Sequence, residues 1–200
     1  MTKSAAKLHI ILHMCKFFCT FVPDFEKKTM KSFIYRDATI AFVTAAAQTC
    51  LLIEKCSEHE RDEWREQMLR LLPVLYLRTR LLEETERMME DDEPQRFVTE
   101  EDYNYALIGM RDMLGQDDAY LDIFVDQGVY TDEIRTAYIS EGLADIYQEL
   151  KDMAAAFQTG QEPVMNDAVV ACREAFDAHW GLKLISVLRA LHEISDSSYQ

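Results

Sequence analysis

The stretch SEGLADIYQELKDMAAAFQTG, residues 140–160, carries the clearest pattern in this chain. Its apolar residues recur at three- and four-residue spacing, which places them on one face of a helix: Leu143, Ile146, Tyr147, Leu150, Met153, Ala154 and Phe157. Ser140 is of a type that caps the start of a helix, and Gly160 is of the type that ends one. The stretch therefore predicts an amphipathic helix.

The composition extends this prediction to most of the chain. Glycine and proline together account for ten of the 200 residues, which is less than half of their usual share of roughly 12%. Because these residues punctuate strands, turns and phosphate-binding loops, their scarcity favours long helices joined by few breaks. We predict an all-α fold, a single helical bundle of about six mostly antiparallel helices.

The longest uncharged run, Ala38–Ile53, predicts a helix buried on most sides at the centre of the bundle. It is shorter than the roughly 18–20 apolar residues that a membrane span needs. A second helix is predicted from about His59 to Met89. Pro73 lies inside it, where proline removes a backbone donor and kinks or breaks a helix. The acidic run 90–94 then predicts a loop.

Local signals mark the next two elements. Thr99 and Asp102 resemble a capping box at the start of a helix, and Gly115 predicts its end. A short helix is predicted over Asp118–Asp126, ended by Gly128.

Pro163, at a first-turn position, opens the last predicted helix, which runs to about Glu193. Gly181 interrupts it at a cost of about 1 kcal/mol relative to alanine. That glycine therefore predicts a close contact between helices or a bend.

Residues 1–29 differ in charge from the rest of the chain. They carry a net +3, so the remaining 171 residues hold −18. We interpret 1–29 as an extension outside the domain, or as a segment upstream of a true start at Met30. A secretory signal and an element of the domain are the alternatives. An acidic helical domain is predicted over 30–195, with a polar tail at 196–200.

The net charge of −15 argues against nucleic acid and against anionic membranes as partners, because both bind lysine and arginine. A protein partner, basic if it docks on an acidic face, stays open, and the oligomeric state is not specified. Five cysteines, an odd number without a CxxC pair, favour reduced thiols and a cytoplasmic location.

No motif for catalysis or cofactor binding is found. The chain has no GxGxxG, P-loop, GxSxG or HExxH motif, and no histidine has a glutamate three positions before it. Cys172 and His179 are seven residues apart on one helix, about 10.5 Å along its axis, too far for a nucleophile and its base. We therefore expect no catalytic residue, no metal and no cofactor.

Two sets of residues are candidates for binding. Glu141, Asp145 and Glu149, with Asp152 next in line, form a row of carboxylates opposite the apolar stripe of their helix. A solvated face is the common role of such a row, and a docking surface for a basic partner is the alternative. The second set carries residue types enriched at interfaces and in pockets: Tyr76, Asn166, Trp180, Arg189 and His192.

Several segments together resemble a bacterial family described as domain of unknown function 5063. They are Leu72–Tyr76, Phe97–Tyr103, Ser140–Gln148, Val164–Ala168, and Trp180–Leu184 with Arg189–His192. The resemblance covers about residues 34–193 and implies a compact helical protein of the bacterial cytoplasm. It makes Asn166, Arg189 and His192 better candidates for functional residues but assigns them no role. Gly142 departs from the acidic residue that the family tends to have there.

The sequence favours a non-enzymatic interaction or regulatory module that binds a protein partner through its acidic face or its C-terminal helix. The alternative is a small-ligand binder or an enzyme that uses a pocket in the bundle near Pro73, Tyr76, Arg189 and His192. A weaker third hypothesis is that the acidic surface mimics nucleic acid.

Overall fold

The computed structural model describes residues 32–89, 95–126 and 129–194, with 123–126 and 129–133 described through their backbone only. The predictions for residues 1–29, for the acidic run 90–94, for Gly128 and for the tail 196–200 lie outside this part of the chain. Within it, the all-α prediction is confirmed: the fold is a helical bundle with one small sheet. Its elements are α1 Asp37–Glu54, α2 Arg61–Arg80, α3 Glu100–Leu114, β1 Ala119–Asp126, β2 Val129–Tyr138, α4 Ile139–Gln158, α5 Glu162–Ala175 and α6 Gly181–Glu193.

The helix at the centre of the bundle is α4. It packs on α1, α3, α5 and α6, and more than half of its residues are buried. The prediction of a central Ala38–Ile53 helix is wrong, because α1 has an outward face on which Ile40 and Leu51 are exposed. By length and apolar content alone α1 could cross a membrane, but its buried face packs on α2, α3 and α4, which is the behaviour of a core helix.

Helix α2 continues through Pro73 but ends at Arg80, nine residues before the predicted end at Met89. Beyond Leu82 the sequence no longer supplies an apolar stripe to bury. The guanidinium of Arg173 donates to the carbonyl oxygens of Thr79 (3.3 Å) and Leu82 (3.2 Å). A cation at the last carbonyl groups stabilises the end of a helix, which explains why α2 stops here.

The predicted short helix over Asp118–Asp126 is wrong, because the chain from Ala119 onward forms strand β1 of an antiparallel hairpin with β2. Residues from 119 to 138 are rich in aromatic and β-branched types, which favours strands. At the base of the hairpin Ala119 pairs with Tyr138. Gly115, in the left-handed region at φ 57°, ends α3 as predicted.

Two predicted caps of helices have different outcomes. The capping box of Thr99 and Asp102 is present. Ser140 is not the N-cap of α4, which is Tyr138. The amide and hydroxyl of Ser140 instead donate to the buried carboxylate of Asp118, each at 2.7 Å. Asp118 therefore joins α4 to the segment before the hairpin. Gly160, at φ 70°, follows the end of α4 as predicted.

Helices α5 and α6 form one rod that includes a π-helical turn at Phe176–Trp180. The close contact predicted at Gly181 is present within this rod. A Cβ atom there would lie 2.6 Å from the carbonyl oxygen of Phe176 and 3.0 Å from its ring.

We expect Gly181→Ala to destabilise the protein by about 1–3 kcal/mol, because the added methyl group has no space. In an ordinary helix interior the same change stabilises by about 1 kcal/mol. Urea unfolding of the two proteins measures the difference, and a more stable variant would show that the turn can relax.

Candidate functional site

The predicted acidic face is an ion-paired seam between helices. Glu141 accepts from Arg111 of α3 at 3.2 Å, and Glu149 accepts from Arg96 at 2.9 Å. Asp145 lies between them and accepts from Lys183 of α6 and from the hydroxyl of Tyr103. These carboxylates therefore already have partners within the protein.

Asp152 continues this seam into the interior. Its side chain is 8% exposed and accepts from the amides of Phe97 (2.6 Å) and Val98 (2.8 Å) and from Arg96 (3.2 Å). The carboxylate thereby fixes the segment that leads into α3, which is a structural role.

Trp180 and Tyr76 belong to the packing of the bundle. Trp180 is buried and donates through Nε1 to the carbonyl oxygen of Cys172 at 3.0 Å. Its ring lies edge-on to Phe176 at 4.6 Å between centroids, and Tyr76 meets Phe176 on another side at 5.2 Å. The π-helical turn at 176–180 therefore presents these rings to one another.

Asn166 and Asp167 hold the segment after α2. Asn166 is fully buried, and its Nδ2 donates to the carbonyl oxygen of Glu86 and to Asp167 Oδ1, both at 2.9 Å. Asp167 accepts from the amides of Met88 (2.7 Å) and Met89 (2.9 Å). Hydrogen bonds to this pair therefore hold residues 86–89, which were predicted to be helical, in a non-helical segment.

The pKa of Asp167 provides a test of this arrangement. Burial alone would raise the pKa of its carboxyl group, but the hydrogen bonds from Met88, Asn166 and Met89 outweigh burial and lower it. A lowered pKa adds stability at neutral pH that is lost as the pH falls through the folded-state value, below about 4. We expect Asp167→Asn to be less stable than wild type at pH 7 and to lose less stability below pH 4. Urea unfolding at several pH values from 7 to below 4 measures the free energy of unfolding of both proteins. If this free energy fell equally with pH in the two proteins, the lowered pKa of Asp167 would be contradicted.

Arg189 and His192 lie on the outer surface of α6. Arg189 donates to the carbonyl oxygen of Leu121 at 2.9 Å and lies 5.9 Å from the centroid of the Tyr120 ring. It thereby binds the hairpin to α6. Tyr76 packs on Phe176, whereas Arg189 contacts the hairpin. None of the five pockets found among the described residues is lined by Tyr76, Arg189 or His192.

The chemistry of the buried thiols does not favour catalysis. Burial raises the pKa of Cys50 to about 12 and that of Cys172 well above its ordinary value. His179, by contrast, is exposed. In the part of the chain that the structure describes, no group of three or more His, Cys, Asp or Glu side chains could hold a metal ion.

A pocket of about 380 Å³ lies between α4 and α5. It is lined by alanines and by charged groups that already pair, Arg87 with Glu174 and Arg96 with Glu149. A ligand there would have to compete with both ion pairs.

An apolar concavity lies on the outer side of α1 and α2, and we name it the α1–α2 groove. It encloses about 570 Å³, and its lining comprises Gln48, Leu51, Leu52, Lys55, His59, Gln67, Arg70, Leu71 and Val74. Beyond it, the same two helices expose Ile40 and Leu77, and Leu81 is exposed just after the end of α2. Together with Leu51 and Val74, these side chains are 43–53% exposed.

This groove was not predicted from the sequence. Its signal was present, since Val74, Leu77 and Leu81 lie off the buried stripe of α2. Exposed apolar residues are common singly, so only their alignment on two neighbouring helices distinguishes them.

Comparisons with known proteins agree with the fold. The model of a family described as domain of unknown function matches residues 33–197. Among solved structures, protein BF1032 from Bacteroides fragilis matches with a TM-score of 0.73 and 36% identity, over 82% of this chain and 96% of that one. A search of curated proteins finds no match. The resemblance noted in the sequence is therefore confirmed, and the chain belongs to the family of domain of unknown function 5063.

Proposed function

We propose that this protein is a non-enzymatic interaction module that binds a protein partner in the α1–α2 groove. The observation that carries the proposal is the row of exposed apolar side chains on two adjacent helices, with Leu51 and Val74 facing the groove. Burying such a row against a partner gains about 25 cal/mol per Å² of apolar surface. An aligned apolar patch of this kind marks an interaction site more often than scattered apolar residues do.

The two surfaces favoured by the sequence have weaker support than the groove. The carboxylates of Glu141, Asp145 and Glu149 already pair with cations of neighbouring segments. A basic partner would have to displace those cations. On the C-terminal helix, Trp180 is buried and Arg189 is engaged with the hairpin.

A bacterial cytoplasmic setting is part of the same proposal. Cys50, Cys56 and Cys172 are free thiols, as a reducing compartment would keep them. The similar protein BF1032 comes from a bacterium.

The experiment that tests the proposal compares capture from an extract of the native cells. The full chain, the Val74→Glu variant and the Leu182→Glu variant serve as baits. Leu182 is a matched control because it is also exposed but lies on α6, outside the groove. A captured protein counts only if, once identified and purified, it binds the full chain directly.

We expect at least one such protein to bind wild type and the Leu182 variant and to be lost with the Val74 variant. Proteins retained by all three baits, or lost only with the Leu182 variant, would contradict docking in the groove.

A further inference from the structure

The charged side chains that line the α1–α2 groove are cationic, opposite in sign to the net charge of the chain. Its nine lining residues include Lys55, Arg70 and His59 but no carboxylate. Four other concavities formed by the described residues each include at least two carboxylates. Glu58 and Glu66 contact these cations from just outside the lining. A lining without a carboxylate is nevertheless a distinctive feature in a chain of net charge −15.

The two permanent cations of the groove are loosely held. Lys55 is about half exposed and meets Glu58 at 3.1 Å, within one turn of the chain. Arg70 is 79% exposed, and its contact with Glu66 is 3.8 Å long. Exposed pairs of this kind contribute at most about 1 kcal/mol each. A carboxylate of a partner can therefore replace the internal one at little cost.

The shape of the apolar row suits a helix. The pair Arg36–Glu83 places the start of α1 beside the end of α2, so the two helices run antiparallel. The row extends along α1 from Ile40 to Lys55, about 22 Å at 1.5 Å per residue. That is the length of a helix of about four turns, and an amphipathic helix can lie between two such helices with its apolar stripe against them.

We propose that the partner presents to this groove an amphipathic helix of about four turns, with acidic side chains flanking its apolar stripe. The inference rests on the proposed function and adds the chemical class of the partner. The apolar stripe lies on Leu51, Leu71 and Val74, and the flanking carboxylates meet Lys55 and Arg70.

The test uses two fluorescent helical peptides of about 20 residues with the same apolar stripe. The flanking residues are all glutamate in one peptide and all lysine in the other. Each is titrated by fluorescence anisotropy into the full chain at about 0.15 M salt, where long-range charge effects are largely screened. The titrations are repeated with Lys55→Glu/Arg70→Glu and with Arg80→Glu/Arg87→Glu. This second pair changes the net charge equally outside the groove, and its cations are exposed.

The net charge of the whole protein, −15, would by itself favour the lysine peptide. The inference predicts the opposite preference. We expect the glutamate peptide to bind wild type and the Arg80/Arg87 control about tenfold more tightly than the lysine peptide, as two exposed ion pairs allow. The Lys55/Arg70 variant should reverse this order.

Equal binding of both peptides, or preference for lysine flanks, would overturn the acidic-helix inference and leave the docking function standing. Binding of neither peptide to wild type would also overturn it, and the capture experiment would still judge the function separately. Sedimentation of the full chain completes the test. A dimer that Val74→Glu dissociates would assign the groove to a second copy of this chain instead.

Discussion

Replacement of Val74 by glutamate is expected to weaken binding of the groove's partner by at least about a hundredfold. Val74 lines the groove and is 43% exposed in the free protein. In the complex the new carboxylate would be buried against apolar side chains and would compete with the partner's carboxylates for Arg70, one turn earlier on α2. Together these effects cost several kcal/mol. A hundredfold corresponds to about 2.7 kcal/mol, so the expected loss is within this range.

The same substitution should leave the free protein intact. The glutamate side chain would remain in water, and surface changes usually alter the free energy of unfolding by less than about 0.5 kcal/mol. Calorimetric titration and urea unfolding of the same preparation separate the two effects.

Leu182→Glu is the control for this prediction, with an expected change in affinity of less than about twofold, because Leu182 lies on α6. Equal losses in the two variants would show that binding depends on general surface charge. A loss of affinity only in the Leu182 variant would show that the interface lies on the C-terminal helix.

Asp152→Ala should destabilise the protein by about 3 kcal/mol, the largest effect that we expect from an acidic residue. The substitution leaves the amides of Phe97 and Val98 and the guanidinium of Arg96 without the carboxylate that they share. Urea unfolding measures the loss.

Glu149→Ala is the matched control, since Glu149 also accepts from Arg96 but contacts neither amide. Its expected cost is about 1 kcal/mol or less. If the free energy of unfolding fell equally little in both variants, Asp152 would not hold the segment before α3.

Short-range signals in the sequence predicted several of the helix limits correctly. Thr99 and Asp102 lie three residues apart and satisfy each other, so their capping box needs no distant contact. Gly160 and Pro163 act through their own backbone preferences. Such elements can be predicted because the information lies within one turn of the chain.

The hairpin and the end of α2 depend on distant residues. Strand β1 exists because it pairs with β2, and the low content of glycine and proline made a helix look more favourable. Helix α2 ends where Arg173, more than 90 residues later, donates to its last carbonyl groups. Neither contact is visible in a local pattern.

The candidate sites show the same limit. Spacing alone placed Glu141, Asp145 and Glu149 on one face of α4, and they do lie along one seam. Their partners, Arg111, Lys183 and Arg96, come from other segments and give the row a structural role. The groove could be predicted only from the relative position of α1 and α2. The spacing of apolar residues within either helix gives no information about that position.

Site-specific photo-cross-linking in living cells tests most directly whether the α1–α2 groove is the docking surface. A photoreactive amino acid replaces Val74 in one protein and Leu182 in another, and cross-linked products are identified by mass spectrometry. We predict that Val74 yields a dominant cross-link to another protein, within a segment that forms an amphipathic helix, and that Leu182 does not. A dominant cross-link from Leu182 with none from Val74 would contradict the account, because the partner would then dock on α6 and leave the groove exposed.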